Sequence, residues 1–197
     1  VKLLLATHNE HKRRELARLL GAGAGSGWQI AALPEHVAMP AEDGETFAEN
    51  ALGKARAAAQ ASGCLSIADD SGIAAAALAG APGVRSARYA GEQASDRENL
   101  EKLMREVPVG SALEYICAIA LVDPAAGLER VFEGRCAGRM AAQARGEGGF
   151  GYDPVFLPED GPDHLTMAEL SAGQKDAISH RGRAARELRA WLEQCGG

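Results

Sequence analysis

The sequence predicts an α/β protein: a mixed β-sheet with flanking helices. Three observations carry this. Short apolar runs bounded by polar residues, at 2–7 (KLLLAT) and 64–68 (CLSIA), have the length of buried strands. Two longer runs, 113–122 (LEYICAIALV) and 128–136 (LERVFEGRC), flank a turn at 124–127 and read as an antiparallel hairpin. Helical segments with capping signatures lie between these runs without strict βαβ alternation, which favours a mixed sheet over a purely parallel one.

Taken in order, strand 2–7 leads into residues 9–20 (NEHKRRELARLL), where Leu16, Leu19 and Leu20 recur at helical spacing. The glycine-rich stretch at 21–27 (GAGAGSG) fails the GxGxxG register at Ser26 and Trp28, and it follows a helix rather than a strand. It reads as a flexible turn. Thr46 and Glu49 form a capping box that opens a helix of about sixteen residues to Ser62, and Gly63 ends it. Asn50 and Lys54 share one face of that helix. Strand 64–68 follows, with Asp69 and Asp70 expected at its C-terminal tip.

Residues 80–83 (GAPG) make a turn, and Ser95 with Glu98 caps a helix running through Met104. Thr166 and Glu169 are a third capping box. Residues 177–194 are expected as one final helix, with Leu188, Trp191 and Leu192 facing inward. No repeat or linker interrupts the chain, so residues 1–197 are expected to form a single domain.

The formal net charge of −6 disfavours a general binder of long nucleic acid, which needs a basic surface. A single nucleotide needs only a local basic pocket. The four cysteines form no CxxC and no zinc spacing, so reduced, buried thiols are expected. The apolar run near the start is too short for a signal segment or a membrane span, and the expected location is cytoplasmic.

Four polar clusters could carry chemistry. The turn Thr7, His8, Asn9, Glu10, His11 and Lys12 joins a strand to a helix N-terminus, where free N–H groups and a lysine suit phosphate. The plainer reading is helix capping by Asn9 beside a solvated lysine. His8 and His11 have no third ligand nearby, which argues against a metal site of their own. The second cluster is acidic, Glu42, Asp43 and Glu45, with Lys54 downstream. It could complement the helix dipole or supply a Mg²⁺ ligand, since Mg²⁺ takes one or two carboxylates with waters and phosphates.

The third cluster is Asp69, Asp70 and Ser71. Adjacent carboxylates repel unless something positive separates them or one is protonated. One of them could cap a turn, but capping does not explain two. The alternative is that one holds Mg²⁺ or takes a proton from water while the other orients it. The fourth is GGFGYDP at 148–154, where Phe150 and Tyr152 could stack on a base and Asp153 could accept from its ring N–H groups. A glycine-rich turn with two core aromatics is the plainer account. Lys175, Ser179, His180 and Arg181 could grip phosphate or a purine carbonyl edge, or could simply line a solvated helix face.

Together these groups fit a nucleoside triphosphate, and the motifs that carry them resemble a known family. ATHNEHKRREL (6–16), GETFAENALGKA (44–55), IADDSGI (67–73), GAPGVRSARYAG (80–91), GGFGYDPVF (148–156) and KDAISHRG (175–182) resemble, in order and over nearly the whole chain, the inosine triphosphate pyrophosphatase family in its bacterial dITP/XTP branch. The resemblance implies an elongated mixed sheet with two lobes around a nucleotide-binding cleft, a homodimer and a Mg²⁺ requirement. It implies hydrolysis of ITP, dITP and XTP to the monophosphate and pyrophosphate.

By matching motif positions, Thr7, Asn9 and Lys12 would hold the triphosphate and Ser71 would touch substrate; His8, Glu10, His11 and Lys54 are also expected at the substrate. Glu42, Asp69 and Asp70 would serve the metal, with Asp70 the proton acceptor. Phe150, Gly151, Tyr152 and Asp153 would bind the nucleoside, and Lys175, Ser179, His180 and Arg181 would read the base. One departure stands out: residues 74–77 are all alanine where the family often has an acid. Other readings are a pyrophosphatase for modified pyrimidine triphosphates and a nucleotide-binding regulator without turnover. A haloacid-dehalogenase-type phosphatase would need DxD after the first strand, which here ends in Thr-His-Asn.

Overall fold

A computed structural model describes residues 2–21, 27–34 and 37–195, and the side chain of Cys195 is outside the description. The glycine-rich turn expected at 21–27 therefore lies outside the described residues except at its two ends.

The strands are β1 (Lys2–Leu5), β2 (Gln29–Ala32), β3 (Ser66–Ala75), β4 (Ala112–Asp123), β5 (Leu128–Met140) and β6 (Phe156–Pro158). The helices are α1 (Glu10–Leu19), α2 (Phe47–Ser62), α3 (Asp96–Glu106), α4 (Ala172–Ile178) and α5 (His180–Cys195). Strand order is β2-β1-β3-β4-β5-β6. β1 runs parallel to β2 and β3, while β6 runs antiparallel to β5, so the sheet is mixed as expected. β4 and β5 are neighbours joined by four residues, a connection that only an antiparallel hairpin can use.

The chain divides into two compact units. The first holds the described residues up to Asp70, Cys117–Gly134 and those from Ala184 onward; the second holds Ser71–Ile116 and Arg135–Arg183. In the first unit, strand alternation builds two apolar layers. Leu3, Leu5, Ile67, Cys117, Ile119 and Leu121 pack with Leu16 and Leu20 of α1 and Leu188 and Leu192 of α5. The intervening residues Leu4, Ala6, Ala68, Ala118, Ala120 and Val122 face Ala51, Ala55, Ala58 and Ala59 of α2. Successive strand residues point to opposite faces, so α1 and α5 cover one face and α2 the other. The second unit has its own core, which includes Ile73, Leu103, Tyr115, Met140, Phe156 and Met167.

Local chemistry sets the helix boundaries. Thr46 accepts from the Glu49 N–H while Glu49 accepts from the Thr46 N–H, and Gly63 closes α2 with a left-handed φ of 65°. Ser95 and Glu98 repeat the capping box on α3, which continues to Glu106. The Thr166–Glu169 box opens only a short 3-10 turn, Met167–Glu169.

Two expectations need correction. The expected final helix over 177–194 is two helices. Ser179 has extended backbone; its N–H donates to the Lys175 carbonyl at 2.8 Å, and its Oγ accepts from the Gly182 N–H at 3.0 Å. One residue thus ends α4 and caps α5, a role that its sequence setting does not distinguish from a helix interior. The second correction concerns the aspartate pair, which does not end its strand. β3 begins at Ser66 and runs to Ala75. What stops near the pair is the parallel ladder with β1, whose last partner pair is Leu5 with Ile67. Asp-Asp-Ser-Gly has turn chemistry, but pairing with β4 and the cation partners Lys12 and Lys54 keep it extended.

Candidate active site

Strand alternation explains how two adjacent aspartates coexist. Asp69 follows Ile67 on the face covered by α1; Asp70 follows Ala68 on the face covered by α2. Each meets a lysine from its own helix. Lys12 Nζ lies 3.2 Å from Asp69 Oδ2, and Lys54 Nζ lies 3.6 Å from Asp70 Oδ1. Both carboxylates are buried. The pair therefore divides between two cations.

The α2 face is the more elaborate. Asn50 Nδ2 donates to Asp70 Oδ2 at 2.9 Å, and the Gly44 N–H donates to Asn50 Oδ1 at 2.8 Å. The amide is thus oriented from behind, with its NH₂ towards Asp70. Lys54 also donates to Glu42 in a very short contact. Burial pushes the Asp70 carboxyl above the usual aspartate range, and Lys54, Lys12 and Asn50 reverse only part of that. Burial acts the same way on Glu42, but the Lys54 ammonium and its hydrogen bond more than cancel it, leaving that carboxyl below its ordinary value. Burial opposes the charge on Lys54, yet Asp70, Asp69 and Glu42 together hold its pKa up.

Near the first turn of α1, the Asn9 N–H donates to Thr7 Oγ1 at 3.1 Å, and Asn9 Oδ1 accepts from the Lys12 N–H at 3.1 Å, so Asn9 does cap the helix. Glu10 is exposed and bonded to Arg13 and Arg14, whose hydrogen bonds hold its carboxyl at about 2. His8 and His11 are exposed, and among the described residues no three His, Cys, Asp or Glu side chains gather as a ready-made metal set.

The second unit holds a separate polar cluster. Arg181 is 1% exposed and Nη2 donates to Ser71 Oγ at 2.7 Å. Lys175 Nζ donates to Asp153 Oδ2 at 2.7 Å; the same oxygen accepts from the Phe150 N–H at 2.9 Å, and Oδ1 accepts from the Tyr115 hydroxyl at 3.1 Å. A side chain at Gly149, where φ is +72°, would strike Asp153, so the loop needs glycine there. The Phe150 ring has Lys175 Nζ 5.1 Å and the Arg181 guanidinium 5.5 Å from its centroid. The His180 ring stacks on Tyr115 with centroids 4.5 Å apart and planes 7° from parallel.

The solvated-face reading of Lys175, Ser179, His180 and Arg181 therefore fails: all four are buried. Tyr152 is also buried, and its hydroxyl donates to the Ser86 carbonyl at 2.7 Å, which makes it a strut under the loop. The Gly151 N–H donates to Asp96 at 3.1 Å. In the all-alanine stretch, Ala74 bridges to Pro82 and Ala75 is in the core. Tyr115 and the contact of Asn50 with Asp70 escaped sequence reasoning, because both depend on residues distant in the chain.

The family model described as the Ham1 family matches residues 3–191. The chain belongs to the Ham1 family. Its Ham1 relatives include the dITP/XTP pyrophosphatase of Frankia alni, 46% identical over 98% of both chains. That of Gloeobacter violaceus is 48% identical over 94% of this chain and 91% of its own. A solved Ham1 protein from Coxiella burnetii superposes with a TM-score of 0.87 at 36% identity, covering 98% of this chain and 99% of that one. The solved nucleoside-triphosphatase / dITP/XTP pyrophosphatase of Mycobacterium abscessus gives 0.72 at 41%, covering 95% and 98%. The family resemblance read from the motifs thus extends over nearly the whole chain.

Proposed function

We propose that this Ham1 protein hydrolyses ITP, dITP and XTP to the monophosphate and pyrophosphate, clearing deaminated purines from the nucleotide pool. The observation that carries this is Asp70, a buried carboxylate held by Asn50 and Lys54, in a chain 46–48% identical to curated dITP/XTP pyrophosphatases. A base poised above the ordinary aspartate range takes a proton more readily at neutral pH.

Mg²⁺ would be held by the carboxylates of Glu42 and Asp70, which both meet Lys54, with Asp69 on the opposite face of β3; oxygen ligands of this kind suit Mg²⁺. When bound, Mg²⁺ neutralises phosphate charge. The chain's own residues do the rest. Lys12, Lys54, Thr7, Asn9 and the N–H groups of the 7–12 turn bind the triphosphate. Asp70 takes a proton from the water that attacks the α-phosphorus, and pyrophosphate leaves. Phe150 offers a ring face to the purine. Lys175, His180 and Arg181 present donors to the 6-carbonyl of hypoxanthine or xanthine, a match that adenine's amino group lacks. Ser71 and Ser179 serve by holding Arg181 and the start of α5.

A homodimer in the cytoplasm belongs to the same reading. Cys64 and Cys136 as thiols fit a reducing compartment. Pyrophosphate release from ITP, XTP, GTP, ATP and dUTP, with and without Mg²⁺, tests the assignment. Mg²⁺-dependent release from ITP and XTP, far above that from ATP and GTP, is expected. Orthophosphate in place of pyrophosphate would break the α-phosphorus mechanism, and binding without release would leave a regulator.

A further inference from the structure

We infer that Tyr115 is a specificity-determining positioning residue, one side chain that sets the geometry of two of the base-reading groups. The inference rests on the assignment of the Lys175–His180–Arg181 cluster to the purine.

Tyr115 lies on β4 and is buried. It acts at two ends. Its ring face stacks on His180 with planes 7° apart, which fixes the plane in which the imidazole nitrogens point. Its hydroxyl donates to Asp153 Oδ1 at 3.1 Å, while Asp153 Oδ2 holds the Lys175 ammonium at 2.7 Å. The orientation of the Asp153 carboxylate is set by the donors on both of its oxygens. The Phe150 N–H and Lys175 both bond Oδ2, and the Tyr115 hydroxyl bonds Oδ1. Removing that hydroxyl takes away one of the three bonds that set the carboxylate's orientation, and with it part of what fixes the place where Oδ2 holds the ammonium.

Specificity depends on a donor being held within about 0.5 Å of its productive position, because a displaced donor loses the carbonyl-bearing base without gaining anything on the amino-bearing one. Phe156 braces Tyr115 with centroids 4.5 Å apart and planes tilted by 39°. That contact packs the ring without touching any of the readers' polar atoms, so Phe156 provides a matched control.

The experiment compares kcat/KM for ITP and ATP in wild type, Tyr115→Phe, Tyr115→Leu and Phe156→Leu, with melting temperatures alongside. Tyr115→Phe keeps the stack and loses only the hydroxyl. Its ITP:ATP ratio should fall by about tenfold, the equivalent of roughly one hydrogen bond. The loss should lie mainly in KM for ITP, with kcat within about threefold. Tyr115→Leu loses both ends and should fall further. Phe156→Leu should lower the melting temperature and leave the ratio at the wild-type value.

An unchanged ratio in both Tyr115 variants, with wild type discriminating, overturns this inference alone. A ratio that falls equally in Phe156→Leu also overturns it, because the effect would then follow general packing. A wild-type enzyme that does not prefer ITP over ATP overturns the functional reading and this inference together.

Discussion

The buried pair of Asp153 and Lys175 offers the sharpest energetic test. The two side chains are 3% and 8% exposed and their charges lie 2.7 Å apart. Asp153→Ala removes three acceptor contacts at once, from Lys175, the Phe150 N–H and the Tyr115 hydroxyl. It also leaves a buried ammonium short of its carboxylate. Breaking such a pair from one side costs about 3–5 kcal/mol. At about 2–4 °C per kcal/mol for a chain of this size, the melting temperature should drop by roughly 6–20 °C.

Lys175→Met keeps most of the stem packing and leaves Asp153 with two neutral donors, so it should cost less, about 1.5–3 kcal/mol. The double variant should cost less than the sum of the singles by about 1–3 kcal/mol, since neither charge then remains buried alone. Urea denaturation monitored by circular dichroism reads all three. A loss below about 1 kcal/mol for Asp153→Ala, or strict additivity in the double variant, would refute the claim that this pair is a coupled unit in low dielectric.

Other outcomes follow from single contacts. Asp70→Asn should lower turnover on ITP by roughly a hundredfold or more if Asp70 is the general base. Its effect on stability has the opposite sign. Folding raises the Asp70 pKa, so the folded state holds the proton more tightly than the unfolded one, and this group's contribution to stability falls as pH rises through that window. At neutral pH the variant should therefore melt no lower than wild type, which calorimetry checks. Tyr152→Phe removes the hydroxyl bonded to the Ser86 carbonyl and should cost about 0.5–1.5 kcal/mol while leaving KM for ITP within about twofold. Burial pushes the Cys136 thiol up to about 11, so alkylation at pH 8 followed by peptide mapping should find it unlabelled in the native protein and labelled after denaturation.

What the sequence by itself determined is local. The capping boxes at Thr46 and Ser95, the Gly63 terminus, the Asn9 cap and the hairpin around residues 124–127 depend on neighbours within a few residues, and all appear in the structure. The family motifs were legible for the same reason, as they are short and contiguous. Whatever depends on a distant partner was not. Asp-Asp-Ser-Gly looks like the end of a strand, yet pairing with β4 carries β3 on to Ala75. Residues 177–194 look like one helix because nothing nearby shows that Ser179 turns its hydroxyl to the next turn.

The sites follow the same division. Two adjacent acids pose a charge problem that the sequence can state but not solve. The solution is tertiary: β-strand alternation sends them to opposite faces, where two helices far apart in the chain each deliver a lysine. Tyr115 in the sequence is one apolar letter in a strand, and only the folded second unit gives it His180 on its face and Asp153 at its hydroxyl. Burial also decides the protonation behaviour of Asp70 and the fate of Lys175 and Arg181. It is a property of what the fold packs around a group, which no local pattern encodes.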